Sequence, residues 1–230
     1  MVPFSFCGRE MQLVRGMAGG PNALFWPAEQ ALLVADLHLE KASFFAREGQ
    51  MLPPYDSRET LERLATAVRL TGARRVFALG DNFHDSLGPA RLDDRAAGML
   101  AALTRALDWV WIIGNHDPHL GDNAGGVRVE ELELGGLWLR HMTCAGAMQP
   151  ELSGHFHPQL VIRARGRRIA RPCVVRSENR LILPAFGAFT GGMNAADPAI
   201  LSALQPATAI DALVPVHGGL VTYPLWRAAA

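Results

Sequence analysis

The chain has 230 residues and a mass of 24.9 kDa, which is enough for one domain with a sizeable core. Because 49% of the residues are hydrophobic and only 19% are charged, the composition excludes a disordered or fibrous protein. The 22 basic and 22 acidic side chains cancel to a formal net charge of zero, which argues against non-specific coating of nucleic acid or of an anionic membrane.

The first half of the chain alternates apolar runs with amphipathic stretches. The apolar runs predict strands at Met11–Arg15, Ala23–Phe25, Ala31–Ala35, Arg75–Leu79 and Trp109–Ile113. One helix is expected to begin at Asp56, which forms a capping-box pattern with Glu59, and to end near Gly72. A second helix is expected over Asp93–Arg105. Strands that alternate with helices in this way indicate a parallel sheet with right-handed crossover connections.

The second half of the chain has the pattern of a β-rich segment. It predicts strands at Val127–Leu134, Leu137–Met142, Val161–Ala164, Ile169–Val175, Leu181–Leu183, Ala209–Val216 and Leu220–Tyr223. A short helix is expected near Pro198–Leu204. Neither half contains all the polar motifs of the chain, so we expect residues 1–230 to form a single domain.

Two features of the sequence bear on where the protein resides. No apolar run approaches the roughly 18 residues of a transmembrane helix, so no membrane association is expected. The three cysteines, Cys7, Cys144 and Cys173, are widely spaced and form no CxxC motif. This spacing predicts reduced thiols in a cytoplasmic protein.

Short polar motifs stand where three consecutive strands of the expected parallel sheet end. They are Asp36-x-His38, Gly80-Asp81 and Gly114-Asn115-His116-Asp117. Two further motifs, His141 and Gly154-His155-x-His157, follow in the β-rich half. Because ligands bind beyond the carboxyl ends of parallel strands, we expect these side chains to contribute to one site.

The residue types in these motifs are those of a site for two metal ions. Carboxylates, imidazoles and an amide oxygen are ligands of first-row divalent ions, and the lack of thiolates argues against a structural zinc site. On an extended chain Asp36 and His38 point the same way, as do His155 and His157, so each pair is expected to hold one ion. Asp81 lies between the two pairs in the sequence and is expected to bridge the ions.

The order of these motifs resembles that of the calcineurin-like metallophosphoesterase superfamily, whose pattern runs DxH, GD, GNH[DE], H, GHxH. The resemblance extends from residue 32 to about residue 190. It implies an α/β fold of four layers, αββα, in which two mixed β-sheets are flanked by helices. It also implies two metal sites that share Asp81: Asp36, His38, Asp81 and His157 for one ion, and Asp81, Asn115, His141 and His155 for the other. His116 would then lie over the substrate as a catalytic residue, with Asp117 orienting its ring.

A narrower resemblance is to the ligase-associated endonuclease/phosphodiesterase family of bacterial DNA-repair clusters. It rests on residues 35–41, 45–49, 53–54, 60–64, 80–85 and 154–158. It implies a phosphodiesterase that acts on DNA and uses two divalent metal ions, manganese first and iron or zinc as alternatives. It also implies a functional association with the DNA ligase and the helicase of such a cluster.

Three further side chains are candidates to support the metal ligands or to contact substrate. His84 and Asp85 follow Asp81 closely, and a carboxylate such as Asp85 is a candidate to hold the second ring nitrogen of a ligand histidine. Lys41, the only lysine of the chain, follows His38 by three residues and is a candidate to contact the phosphate.

Two other features leave a functional and a structural interpretation open. His119 is either close to the site or part of a solvated loop. Six arginines crowd one expected hairpin: Arg163, Arg165, Arg167, Arg168, Arg171 and Arg176. They are either the charged edges of a solvated strand pair or a ribbon that contacts phosphates.

These expectations together favour hydrolysis of phosphodiester bonds in DNA, with His116 protonating the leaving group. The alternatives are a broad phosphatase, a cyclic-nucleotide or small-molecule phosphodiesterase, and a scaffold that has kept the fold without catalysis. A scaffold has no need of a general acid, so the presence of His116 beside all the expected ligands favours an enzyme.

Overall fold

A computed structural model describes residues 1–16, 21–119, 124–164 and 166–229. Its strands, in chain order, are β1 (Val2–Phe6), β2 (Arg9–Arg15), β3 (Pro21–Trp26), β4 (Ala31–Val34), β5 (Arg75–Leu79), β6 (Asp108–Ile112), β7 (Val127–Val129), β8 (Glu131–Leu134), β9 (Leu137–Arg140), β10 (Glu151–Ser153), β11 (Pro158–Ala164), β12 (Arg167–Pro172), β13 (Val174–Arg176), β14 (Arg180–Ile182), β15 (Met193–Asn194), β16 (Ala209–Val216) and β17 (Gly219–Arg227). The α-helices are α1 (Lys41–Arg47), α2 (Asp56–Thr71), α3 (Asp94–Ala106) and α4 (Pro198–Ala203). Short 3-10 helices cover Pro27–Glu29 and Gly88–Arg91.

Both large sheets are mixed. The seven strands of the first sheet lie side by side in chain order, antiparallel from β1 to β4 and parallel from β4 to β7. The second sheet has the order β17-β16-β13-β14-β10-β9-β8, and its only parallel neighbours among the described strands are β14 with β10 and β10 with β9. Strands β12, β11 and β15 form a separate small sheet.

The two large sheets pack face to face over an apolar core. Leu33 and Phe77 of the first sheet and Leu139 and Leu181 of the second are among its fully buried members. Strand β4 is buried at every position, as its continuous apolar run predicts for a strand covered on both faces. Burial of apolar surface on this scale is the main favourable contribution to folding.

Outer layers cover the other faces of the two sheets. Helices α2 and α3 pack on the first sheet, where Leu61, Leu64 and Leu100 join a second apolar cluster. On the second sheet, Ile200 of α4 and Leu160 of β11 contribute to a third cluster. The expected αββα arrangement is therefore confirmed, although the outer layer on the second sheet holds one six-residue helix and the small sheet.

Two expected strands are each two strands in the structure, so these predictions were wrong. The segment 127–134 crosses from the first sheet (β7) to the second (β8) at Glu130. The segment 169–175 changes sheets between β12 and β13, directly after Pro172. Proline has no backbone N–H for a sheet hydrogen bond, which suits it to the end of a strand. Both errors have the same cause, because alternation of apolar residues does not report which sheet a strand joins.

The expected capping box at the start of α2 was also wrong. The Asp56 carboxylate accepts a hydrogen bond from the backbone N–H of Ala42 at 2.9 Å, so it caps α1 and not its own helix. Ser57 donates a hydrogen bond to Glu40, which precedes α1. These bonds tie the starts of α1 and α2 together beside the loop that carries His38.

Within the part of the chain that the structure describes, none of the helices combines the length and apolar character needed to cross a bilayer.

Candidate metal centre

The loops after the parallel strands of both sheets converge on one rim of the molecule. Those after β4, β5 and β6 and those after β9 and β10 carry all seven expected ligands: Asp36, His38, Asp81, Asn115, His141, His155 and His157. Hydrogen bonds link the loops across the two sheets, since the backbone N–H of His155 donates to the Asp36 carboxylate at 3.0 Å. The rim is therefore built from both halves of the chain.

The backbone of this rim is strained. Five of the seven expected ligands have a positive φ, namely Asp36, His38, Asp81, His155 and His157. Residues with a Cβ rarely adopt this conformation, and where they do the surrounding structure must enforce it. Such strain concentrates at functional sites, and here it turns successive side chains toward one point.

Glycines let these loops approach each other closely. A Cβ added at Gly114 would lie 2.1 Å from the backbone nitrogen of Asp81 and 2.3 Å from its Oδ1. A Cβ at Gly154 would lie 2.7 Å from Oδ2 of Asp36. Both positions need glycine because the neighbouring loop occupies the space of a side chain.

The first ligand set consists of Asp36, His38 and His157, whose ligand atoms all lie within 4.8 Å of one another. The Nε2 atoms of His38 and His157 are 3.2 Å apart, and Nε2 of His157 is 3.5 Å from Oδ1 of Asp36. Burial first, and then the charges of neighbouring imidazoles, lower the pKa of His38 to about 2. His38 is therefore neutral at pH 7, which is the form that binds a metal ion.

The second ligand set consists of Asp81, His141 and His155, again within 4.8 Å. Nε2 of His141 lies 3.2 Å from Nδ1 of His155, 3.0 Å from Oδ1 of Asn115 and 3.3 Å from Oδ1 of Asp81. The other ring nitrogen of His141 donates to the carbonyl of Leu79 at 3.0 Å, which leaves Nε2 free of hydrogen and facing the set. Asn115 thus joins the second set through its amide oxygen.

Asp81 lies between the two sets. Its Oδ1 faces His141 at 3.3 Å, whereas its Oδ2 faces His38 of the first set at 3.8 Å. The backbone N–H of His116 donates to Oδ1 at 2.9 Å and fixes the orientation of the carboxylate. One carboxylate that presents one oxygen to each set has the geometry of a bridging ligand.

Both sets fit divalent metal ions. Two nitrogens bound to one tetrahedral ion at about 2.0–2.1 Å are themselves about 3.3 Å apart, close to the 3.2 Å measured in each set. Asp36 is fully buried and Asp81 is 2% exposed, yet in the described parts of the chain neither lies within ion-pair distance of a lysine or arginine. Buried carboxylates need a compensating positive charge, and a bound cation supplies it.

The two histidines of the GHxH motif belong to different sets. His155 lies in the second set and His157 in the first, so the expectation that they share one ion was wrong. That expectation assumed an extended chain, whereas both residues have a left-handed backbone, with φ of 73° and 48°. Asp36 and His38 do share a set, as expected.

His116 and His84 stand beside the first set. Nδ1 of His116 donates to the carbonyl of His84 at 2.9 Å, and its Nε2 lies 4.0 Å from Oδ2 of Asp81. Nδ1 of His84 is 3.4 Å from Nδ1 of His38, and the ring contacts Phe44 at a centroid distance of 4.7 Å. Burial, followed by the charge of His116, lowers the pKa of His84 to about 4. His84 therefore supports the ring of a ligand, and it is neutral at pH 7.

Two of the expected supporting roles differ in the structure. The Asp117 carboxylate does not contact the ring of His116; it accepts hydrogen bonds from the backbone N–H groups of Asn82, Phe83 and Gly114 at 2.9, 3.2 and 3.1 Å. Asp117 is fully buried and holds the loop after β5 against the loop after β6. The orienting group of His116 is instead the carbonyl of His84, which sequence spacing does not reveal.

Asp85 does not hold the ring of a ligand histidine either. Its carboxylate binds Arg91 at 2.9 Å and accepts from the backbone N–H of Leu87. Lys41 stands at the start of α1, with its ammonium 5.9 Å from the ring centroid of Phe45. Its charge is one of the causes that lower the pKa of His38 and His84. His119 is exposed.

Phe44 and Phe45 are neighbours of the site to which the sequence analysis assigned no role. Both rings contact the imidazole of His84, at centroid distances of 4.7 and 5.3 Å. They lie on α1, a seven-residue helix that the sequence analysis did not predict. A pair of aromatic residues close to the DxH motif was the available signal.

Comparison with known proteins identifies the family. The model of the calcineurin-like phosphoesterase family matches residues 30–159, which is more than half of the chain. The crystal structure of a nuclease, MPE, from Pseudomonas putida is 30% identical, with a TM-score of 0.69, and the match covers 97% of this chain and 98% of that one. YfcE, a phosphoesterase from E. coli, is 14% identical with a TM-score of 0.40, over 81% of this chain and 91% of that one. No match was found among curated proteins.

The matched range contains most of the rim described above, including the DxH, GD, GNHD and GHxH motifs. Members of this family use divalent metal ions, and the two ligand sets have the donors and spacing that such ions require. The chain belongs to the calcineurin-like phosphoesterase family and is a phosphoesterase.

Proposed function

We propose that this phosphoesterase is a manganese-dependent phosphodiesterase that hydrolyses DNA. The choice of a polynucleotide substrate is supported by the 30% identity to the P. putida nuclease over almost the whole of both chains. The choice of an ester with an alkoxide leaving group, as in a nucleic acid, is supported by the position of one side chain, His116, beside the bridging carboxylate.

His116 carries the proposal because the leaving group of a nucleic acid needs a proton. An alkoxide is a poor leaving group, and a positioned general acid contributes about 10²–10⁴-fold to its departure. The carbonyl of His84 fixes the ring of His116 through Nδ1, so Nε2 is the atom that faces the site and transfers the proton. With 39% of its side chain exposed, His116 is open to a substrate that arrives from solvent.

The other residues of the rim hold and orient the reacting groups. Two divalent ions in the ligand sets would activate the attacking water and neutralise charge on the phosphate oxygens. Asp81 keeps the two sets at a fixed separation. Asp117 holds the loop of Asp81 against the loop of Asn115 through hydrogen bonds to both. Lys41 adds a positive charge on the side of the first set, since its charge acts on His38.

Manganese is proposed on the resemblance to the ligase-associated family, and the carboxylate, imidazole and amide oxygen donors are compatible with it. The metal-stripped protein should regain the highest turnover of a small phosphodiester with manganese, ahead of iron(II), zinc and magnesium. If zinc or iron gave a higher turnover than manganese at matched occupancy, that metal would become the proposed ion. The residues assigned to the two ligand sets would stay the same.

The experiment that tests the function is a substrate panel with manganese supplied. It compares single- and double-stranded DNA, RNA, a cyclic nucleotide, bis-nitrophenyl phosphate and nitrophenyl phosphate. We expect cleavage of DNA. Turnover of the small diester without cleavage of any polynucleotide would contradict the DNA proposal and favour a small-molecule phosphodiesterase. Preference for the monoester would favour a phosphatase.

The resemblance to the ligase-associated family extends the proposal to DNA repair, in association with a DNA ligase and a helicase. We place this activity in the cytoplasm, where the three free cysteines, Cys7, Cys144 and Cys173, would stay reduced.

A further inference from the structure

The small sheet carries an antiparallel ribbon, β11 and β12, that begins directly after the metal-site motif. We call residues 158–172 the arginine ribbon. Its base is fixed to the body of the protein, because the backbone N–H of Met193 donates to the carbonyl of His157 at 3.1 Å and that of Cys173 to the carbonyl of Pro158 at 3.1 Å. Arg163, Arg167 and Arg168, near the turn, are exposed.

The ribbon places like charges against each other. Arg163 of β11 and Arg168 of β12 are direct partners in the register, so their side chains share one face. Like charges in directly opposite positions destabilise a strand pair. The segment 158–176 contains six arginines and no aspartate or glutamate that would relieve this repulsion.

Eight arginines outside the ribbon lie within ion-pair distance of a carboxylate in the described ranges. Arg63, Arg91 and Arg140, for example, each contact a carboxylate within ion-pair distance. In the described ranges, by contrast, no carboxylate is within ion-pair distance of Arg163, Arg167, Arg168 or Arg171. Arg176 lies apart from these in β13 of the second sheet, and Arg165 lies outside the residues that the structure describes. Positive charge is therefore left uncompensated on the arginine ribbon of a chain whose net charge is zero.

Protection of a sheet edge explains only part of this arrangement. Charged residues on an edge strand prevent pairing with other chains, and β12 is an edge of the small sheet. Protection of an edge, however, does not require two like charges in directly opposite positions, such as Arg163 and Arg168, which destabilise the strand pair. Opposed arginines on paired strands suit a ligand that carries several negative charges.

The position of the ribbon indicates a long ligand. Arg163 follows the ligand His157 by six residues, and an extended strand rises about 3.3 Å per residue, so the arginine lies about 20 Å along the strand from the metal centre. A small diester seated at the ligand sets does not extend that far, whereas successive phosphates of a polynucleotide do.

We propose that the arginine ribbon binds the sugar-phosphate backbone of a polynucleotide at phosphates remote from the one that is hydrolysed. This inference rests on the proposed function for its choice of ligand. Contacts of this kind position a nucleic acid without reading its sequence, and they release counterions, which makes binding depend on salt.

The test compares the wild-type metal-loaded enzyme with R163Q/R168Q. The substrates are a DNA oligonucleotide of about 20 nucleotides and bis-nitrophenyl phosphate, both below saturation. The plot of log kcat/KM against log salt has a negative slope, and loss of two phosphate contacts should make that slope shallower by about 2 for the oligonucleotide. The ratio of wild-type to variant kcat/KM should then fall about 16-fold between about 50 and 200 mM salt. Turnover of the small diester should not change.

Two control variants isolate the effect of position. R69Q/R105Q removes the same charge from the ends of α2 and α3, which lie at the opposite edge of the first sheet because β5 and β6 begin there. It should keep the wild-type slope. R163K/R168K retains the charge and should also keep it. Equal slopes for R163Q/R168Q and R69Q/R105Q would overturn the proposal, as would an equal loss by R163Q/R168Q on the small diester.

Binding distinguishes failure of the ribbon proposal from failure of the proposed function. Anisotropy with a labelled phosphorothioate oligonucleotide, which keeps its charges and resists hydrolysis, measures affinity without cleavage. If the wild type binds it more tightly than R163Q/R168Q but cleaves no DNA, the proposed function fails and the ribbon inference stands. If the two proteins bind it equally, or if the wild type binds only vesicles of anionic lipid, the ribbon inference fails.

Discussion

At the scale of single residues, Asp81 decides whether the two ligand sets act as one centre. Its two carboxylate oxygens face different sets, and the Asp81 side chain is itself almost fully buried. His116 and Asp117 are neighbours in sequence with separate roles, since one faces the substrate side and the other is buried among backbone amides.

Asp81→Asn should lower the metal content and nearly abolish turnover of every phosphoester. The substitution keeps the size of the side chain but removes the negative charge that holds two cations close together. Elemental analysis of the purified variant measures the metal content, and circular dichroism checks the fold. Retention of two metal ions with normal activity would contradict the bridging role.

His116→Ala should impair hydrolysis of DNA far more than hydrolysis of nitrophenyl esters. Nitrophenolate leaves without a proton, so the contribution of about 10²–10⁴-fold from a general acid should be largely absent for those esters. The measurement is kcat on both substrates at equal metal occupancy. Equal losses on both would assign His116 to phosphate binding and not to proton transfer.

At the scale of elements, the loops after the parallel strands are packed so closely that glycine is required. A Cβ added at Gly114 would lie 2.1 Å from the backbone nitrogen of Asp81. A Cβ added at Gly98 on α3 would have no atom within 4 Å. The two glycines therefore form a matched pair, one in the metal centre and one on an exposed helix face.

Gly114→Ala should abolish metal binding and lower the melting temperature, because its Cβ would displace the backbone of Asp81. Gly98→Ala should leave metal content and activity unchanged and stabilise the protein by about 0.5–1 kcal/mol, since alanine is the better helix former. Thermal melts and metal analysis of both variants check this pair. Normal metal content in Gly114→Ala would show that the loops of the rim are less constrained than the structure indicates.

The sequence predicted the first-sheet half of the rim better than the second. Strands β4, β5 and β6 are apolar runs that end in polar motifs, so their parallel arrangement and the position of Asp36 and Asp81 followed from local pattern. Strand β10 has three residues and acquires its parallel neighbours only through long-range pairing. Helix α1 was missed because its start is capped by Asp56 of another helix.

Ligand grouping was predictable only where it did not depend on backbone conformation. The resemblance to a known family assigned His155 and His157 to different ions, whereas the assumption of an extended chain assigned them to one. Residues with a Cβ rarely adopt the left-handed backbone that both histidines have, so no local pattern predicts it. The contact between His116 and the carbonyl of His84 was likewise hidden from local pattern.

At the scale of the whole molecule, the metal centre exists only when the two sheets are packed together. The first set takes Asp36 and His38 from the first half of the chain and His157 from the second. Metal binding and folding are therefore linked, because an unfolded chain does not bring these ligands together.

Metal removal should lower the melting temperature of the wild type. An ion present at about 100 times its dissociation constant adds about 2.7 kcal/mol to the free energy of unfolding. For a chain of this size, such a change corresponds to about 5–10 °C. Melts with manganese and with a chelator measure the shift, and the Gly114→Ala variant should show none. An unshifted wild type would contradict the link between metal binding and stability.

The most direct test of the two-metal account is the anomalous scattering of manganese in a crystal of the wild-type protein. We expect two peaks about 3.5–4 Å apart, one beside Asp36, His38 and His157 and the other beside Asn115, His141 and His155, with Asp81 between them. A single peak, or a peak held by His38, His84 and His116, would contradict the account.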